Sequence, residues 1–306
     1  VRLGVYLGWH VHPWQELLEL VRLAEELGYA TALVDGDVSM LAASSEADCL
    51  DGWSVTIALL ALTSRIEIGS LRLVHHWNAA RLAQAAATAE RLAPGRLRFQ
   101  ISIGDRPADA RFGLEMGSVR ERIERLDETL DALRALWRGE TVSRRGRHVR
   151  LDDARVRPIP PGGRIPITVA ARRPRMLEVV AAHADVWDVN LPPLPLRVAR
   201  AAEQLAEACE RRGRSPASIS RSMLLFTRLD PDRVSGLAEF RRLNPWFHSI
   251  PAAELAPALI LGEASRCRDR IAEAAAQLRL DQPVLDLSGV DAGAARRLLE
   301  ALGPNE

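Results

Sequence analysis

Short apolar runs alternate with longer amphipathic runs along the whole chain, and this alternation restricts the fold more than any other feature. "LGVYL" (3–7), "TALVD" (31–35), "IEIGSLRL" (66–73) and "RLRFQISIG" (96–104) read as strands. So do "ITVAA" (167–171), "DVWDVN" (185–190), "SMLLFTRL" (222–229) and "QPVLDLS" (282–288). Helical patterns fall at 13–28, 53–64, 78–93, 118–139, 174–183, 195–212, 264–279 and 291–302. The first has Pro13 at its start and Gly28 past its end, as helix boundaries favour. Parallel strands need a crossover, usually helical, so this rhythm implies a mainly parallel sheet. Eight units in 306 residues fit a single-domain (β/α)8 TIM barrel spanning 1–306. A doubly wound open sheet is the alternative. It is the weaker one, because "LGWHVHP" after the first strand is not the glycine fingerprint of a dinucleotide fold.

Two stretches interrupt the rhythm. "TVSRRGRHVRL" (141–151) reads as a short hairpin insertion turning at Gly146. Residues 230–262, after strand seven, read as an irregular insertion, and a connection of that length is often functional. A net charge of +1 points to neither nucleic acid nor a membrane surface as partner. Cys49, Cys209 and Cys267 are too far apart for a metal or redox motif, and the N-terminal stretch lacks a signal-peptide run. The expectation is a cytoplasmic protein with reduced thiols and no metal.

In a barrel, chemistry collects where strands end and βα loops begin. That rule selects Trp9, His10 and His12 after strand one, and Asp35 and Asp37 after strand two. Arg72, His75, His76 and Trp77 follow strand three, with Asp105 and Arg106 after strand four. Arg172, Arg173, Asp188, Asn190, Trp246 and His248 complete the set. "PITVAARRPRML" (166–177) places small residues and three arginines between a strand and a helix start. Free N–H groups there favour an anion. The other reading is an ordinary strand-to-helix turn with its arginines in solvent.

Several segments together resemble the luciferase-like monooxygenase superfamily. They are "WQELLELVRLAEELGYATALV", "LTSRIEIGS", "LAQAAATAERLAPGRLRF", "ERIERLDETLDALRALWRGETVSRRGRHVRLDDARVRPIP" and "PITVAARRPRMLEVVAAHADVWDVN". The resemblance implies a (β/α)8 barrel with a flavin or deazaflavin at its mouth. One branch uses reduced FMN and oxygen and needs a flavin reductase as partner. The other moves a hydride on coenzyme F420. The "AA" and "PRML" of the fifth unit are similar to the F420 branch, whereas FMN members more often read "GGGG" there.

On that resemblance the cofactor phosphate would lie on Val169, Ala170, Ala171 and Arg172. The ring would lie near Asp35, Leu71, Arg72 and Gly104. His10, His12 or Asp37 would move the proton, since "VDGDVSM" lacks the family's histidine. Trp9, His76, Trp77, Asn190 and Trp246 would border a small organic substrate with a reducible C=C or C=N bond or an oxidisable alcohol. The resemblance also implies a homodimer, for which the apolar helix 53–64 offers a face. Gln100 and Ser102 stand where the family usually has glycines, and Leu71–Arg72 is the nearest candidate for the family's non-prolyl cis peptide. Those departures motivate a further alternative, a cofactor-free relative acting as a binding protein.

Overall fold

Parallel strands bury both faces only when helices cover the outside, and the strands of this chain meet that demand by closing on themselves. The computed structural model describes residues 2–8, 12–36, 50–104, 112–229 and 233–304. In its first half β1 (Gly4–Leu7), α1 (Trp14–Glu26), β2 (Thr31–Val34), α2 (Gly52–Leu62), β3 (Glu67–Leu73), α3 (Ala79–Leu92), β4 (Leu97–Ser102) and α4 (Val119–Trp137) succeed one another. A hairpin, β5 (Val142–Arg145) and β6 (Arg150–Ala154), then precedes β7 (Ile167–Ala171), α5 (Pro174–His183), β8 (Val186–Val189), α6 (Pro195–Glu210) and β9 (Ser220–Arg228). After β9 come α7 (Arg233–Leu243), α8 (Ala252–Leu255), β10 (Ile260–Leu261), α9 (Ala264–Leu278), β11 (Gln282–Asp286) and α10 (Ala292–Leu302).

The strand order β9-β11-β1-β2-β3-β4-β7-β8, with β8 pairing back onto β9, closes the ring, and every pairing in it is parallel. Closure excludes the open doubly wound sheet. The short β10 adds to β9 in parallel at residues 260–261.

Side chains alternate between the two faces of each strand. The outward set is mostly apolar. Val5, Leu7, Ala32, Val34, Ile68, Phe99, Ile101, Val169 and Trp187 are buried in one continuous core with the helices. Phe99 meets Trp137 of α4 edge-on at 5.4 Å, and Trp137 Nε1 donates to Ala83 O at 3.0 Å, so the indole is buried without losing its hydrogen bond. The inward set is largely polar and internally paired. At the N-terminal end Gln282 donates to Thr31, whose hydroxyl donates to Glu67 at 3.0 Å. One layer higher, Gln100 Nε2 donates to Asp188 Oδ2 at 2.6 Å.

The hairpin runs to Ala154, three residues past its expected end. It is held against α4 by Glu128, which accepts the backbone N–H groups of Arg147, His148 and Val149. The segment expected to be irregular contains α7, α8 and β10. It has its own small core, in which Phe240 packs edge-on against Phe226 of β9 at 5.4 Å and stacks on Phe247 at 6.1 Å. Among the described residues the one cis peptide bond is Arg157–Pro158, so Leu71–Arg72 is trans, contrary to the sequence expectation. No helix among the described residues is long and apolar enough to cross a membrane.

Candidate functional site at the C-terminal mouth of the barrel

The C-terminal ends of the strands bring Tyr6, Asp35, Gly104, Ala170, Ala171 and Arg172 to one mouth. At the β7 end Ala170 and Ala171 present almost no side chain. Trp187 Nε1 fixes the Ala171 carbonyl at 3.0 Å. Arg172 Nη1 donates to Asn190 Oδ1 at 3.0 Å, tying the β7–α5 loop to the end of β8. Helix α5 then starts with Pro174 in its first turn and no side-chain cap. Small residues, an uncapped helix start and a guanidinium beside it form an arrangement suited to an anionic oxygen group. Val169, one residue earlier, faces the helices and is fully buried, so only its backbone is offered to the site.

Gln100 and Ser102, at the end of β4, have partners that hold them against the barrel wall. Ser102 Oγ donates to Ala170 O at 3.2 Å, and Gln100 is drawn to Asp188. Gly104 has φ +68°, and a Cβ there would come within 2.9 Å of His75 Cε1. Arg122 of α4 caps the same strand end by donating to the carbonyls of Ile103 and Gly104. The ring of His75 meets that of His76 edge-on at 4.4 Å.

Across the mouth Tyr6 Oη is hydrogen-bonded to Asp35 Oδ1. Burial pushes the Asp286 carboxyl up; the nearby Arg228 and two hydrogen bonds from Ser288 pull it down, and Asp35 pushes it further up. Burial raises Asp188 to about 7, against the opposing pull of Arg98.

Gly36, inside the stretch where the family pattern carries its histidine, lies against β3. A Cβ at this position would stand 1.7 Å from Leu71 O. In this backbone no side chain fits at 36. Gly36→Ala is expected to lower stability by at least about 2 kcal/mol through overpacking against backbone; a thermal melt checks this.

Not every sequence candidate joins this cluster. Arg72 faces α2, 3 % exposed, with its guanidinium 5.0 Å from the Trp53 ring and Nη2 lacking a hydrogen-bond partner among the described residues. Burial pulls its pKa down, and the charge of Asp51 partly restores it. His12 is buried, at 3 % exposure. Trp77 packs edge-on against Trp53 at 5.9 Å. Trp246 falls in the turn Pro245–Phe247 of the insertion. Trp9, His10 and Asp37 lie outside the described residues. Sequence reasoning missed Tyr6 and Asp286; their only signal is inward parity on β1 and β11. Among the described residues no group of His, Cys, Asp or Glu is placed to hold a metal ion.

The model of the luciferase-like monooxygenase family matches residues 1–295. The chain belongs to that family. It is 30% identical over 237 residues to the F420-dependent glucose-6-phosphate dehydrogenase of Nocardia farcinica, covering 76% of this chain and 70% of that one. It is 36% identical over 146 residues to the phthiodiolone/phenolphthiodiolone dimycocerosates ketoreductase of Mycobacterium tuberculosis. That match spans 47% of this chain but only 38% of the ketoreductase. The fold superimposes on an F420-dependent secondary alcohol dehydrogenase solved with an F420-acetone adduct. The TM-score is 0.82 at 16% identity, covering 98% of each chain.

Proposed function

We propose that this chain is an F420-dependent oxidoreductase that moves a hydride between coenzyme F420 and a small organic substrate. That substrate carries a reducible C=C or C=N bond or an oxidisable alcohol. One observation carries the reading: the β7–α5 turn presents Ala170, Ala171 and Arg172 at an uncapped helix start, with Arg172 held by Asn190. The "PRML" of the F420-branch pattern follows directly. Likeness to the F420-dependent dehydrogenase from Nocardia farcinica supports it.

The residues present fit the group. Ala170 and Ala171 leave the backbone open to a phosphate, and Arg172 supplies a donor fork. Gln100 and Ser102 are held by Asp188 and Ala170, so neither stands free in the mouth. Leu71 and Gly104 border the same opening, and Arg72 supports it from behind through α2. When bound, the deazaflavin supplies a carbon that gives or accepts a hydride. The chain supplies position and the accompanying proton, which falls to His10 or Asp37, with the Tyr6–Asp35 pair across the mouth. Asp35 then also helps to seat the cofactor. Trp9, His76 and Asn190 would border the substrate, whereas Trp77, packed on Trp53, does not join them.

The apolar α2, with Leu62 exposed at its end, is the face proposed for a homodimer. Light scattering of the wild type and a Leu62→Glu variant tests it; a dimer that the variant splits is the expected result. An anaerobic assay tests the activity. Reduced F420 should be consumed with ketone, imine or enone acceptors, or oxidised F420 with alcohols. Oxygen uptake driven by reduced FMN and a flavin reductase would instead make the chain a monooxygenase.

A further inference from the structure

A second polar cavity, of about 60 Å³, lies between the start of α3, the middle of α4 and the β5–β6 turn. Its wall includes Trp77, Ala79, Arg125, Thr129, His148 and Arg150. Three of these side chains are basic, and no carboxylate lines the cavity. The Nε of Arg125 is buried and has no hydrogen-bond partner among the described residues. Arg125 as a whole is half-buried, and this nitrogen gives the cavity a charged donor whose acceptor the described residues do not supply.

The nearby acids are already engaged. Glu128 accepts three backbone N–H groups of the hairpin. Glu124 takes Arg120 at 2.6 Å, Arg147 at 3.3 Å and His148 Nε2 at 3.5 Å. Neither Arg125 nor Arg150 has an ion-pair partner among the described residues. Ala79 sits at the first position of a 14-residue helix, and Asn78, also in the cavity wall, accepts the N–H groups of Ala80 and Arg81, so the helix adds only the weak field of its capped end. The volume holds several water-sized groups, where one needs roughly 10–15 Å³.

We propose that this cavity binds a phosphate-class oxyanion, either inorganic phosphate or the phosphate group of a small metabolite. The site is separate from the barrel mouth and does not depend on the redox reading. Arg125 Nε and the Arg150 guanidinium donate to the anion's oxygens and the Thr129 hydroxyl adds a third donor, while His148, held by Glu124, forms the wall beside them.

The test is a titration with inorganic phosphate, and in parallel with glycerol 3-phosphate, at constant ionic strength. It is read by tryptophan fluorescence, since Trp77 lines the cavity, and by thermal shift. Wild type, Arg125→Gln, Arg150→Gln and Arg172→Ala are compared. Saturable binding is expected in wild type and in Arg172→Ala, at least tenfold weaker in Arg125→Gln and severalfold weaker in Arg150→Gln. Arg150 is exposed, so its variant carries the test if Arg125→Gln fails to fold. Tighter binding of glycerol 3-phosphate than of phosphate marks a metabolite, and the reverse marks the free ion. Equal responses in all four proteins, a response reproduced by chloride, or loss confined to Arg172→Ala would each overturn the site.

Discussion

Asp188→Asn is expected to be more stable than the wild type at pH 8 by on the order of 2–4 kcal/mol, and nearly equal to it at pH 4. Asp188 is 7 % exposed inside the barrel, and burial raises its carboxyl to about 7. In the unfolded chain an aspartate ionises near 3.9. Between those two values the folded protein binds a proton that the unfolded chain has released. Wild-type stability therefore falls as pH rises from about 4 to about 7, and levels off above. Asparagine has no proton to lose and can still accept from Gln100. Denaturant unfolding of both proteins at pH 4, 6 and 8 checks this; parallel curves would contradict it.

Arg228→Met is expected to cost roughly 3–5 kcal/mol, the range for breaking a buried charge network from one side. Arg228 is buried over the Phe226 ring at 4.1 Å. It donates to Thr227 O at 2.8 Å, Asp286 O at 2.7 Å and Ser288 O at 2.5 Å, and it holds Glu239 of α7 at 2.8 Å. Methionine keeps much of the volume but leaves two carbonyls of the β11 end and one carboxylate without their donor. Because Glu239 belongs to the insertion, the loss should loosen 233–261 before the barrel. Limited proteolysis should cut there first, and the melting temperature should fall. An unchanged protease pattern would mean that the Phe226–Phe240–Phe247 cluster alone anchors the insertion.

The barrel was legible in the sequence because each strand is a short apolar run bounded by turn residues, and each crossover a periodic helix. Helix 174–183 was read to the residue, since Pro174 marks its start. The insertion was less legible. Leu237, Phe240 and Leu243 carry a helical spacing, but Pro245 and Pro251 break the following pattern into pieces shorter than two helical turns.

At the mouth, position along the chain was legible and direction was not. Arg72 ends a strand, as expected of a mouth residue, yet strand parity turns it toward Trp53 and α2. The same parity turns Tyr6 and Asp286 inward, from the middle and end of strands that read as plain core. Gln100 read only as a departure from the family's glycine. Its partner Asp188 lies 88 residues away, and only closure of the barrel brings the two together. Long-range polar pairing of this kind leaves no local trace in a single sequence.

The most direct measurement of the central claim is a fluorescence titration of the purified protein with F420 and, separately, with FMN, repeated on Arg172→Ala. The account predicts saturable F420 binding that weakens at least tenfold in the variant, as loss of a charge-assisted anion contact requires. Binding of neither cofactor would contradict it, and would leave a family barrel whose mouth serves a cofactor-free role.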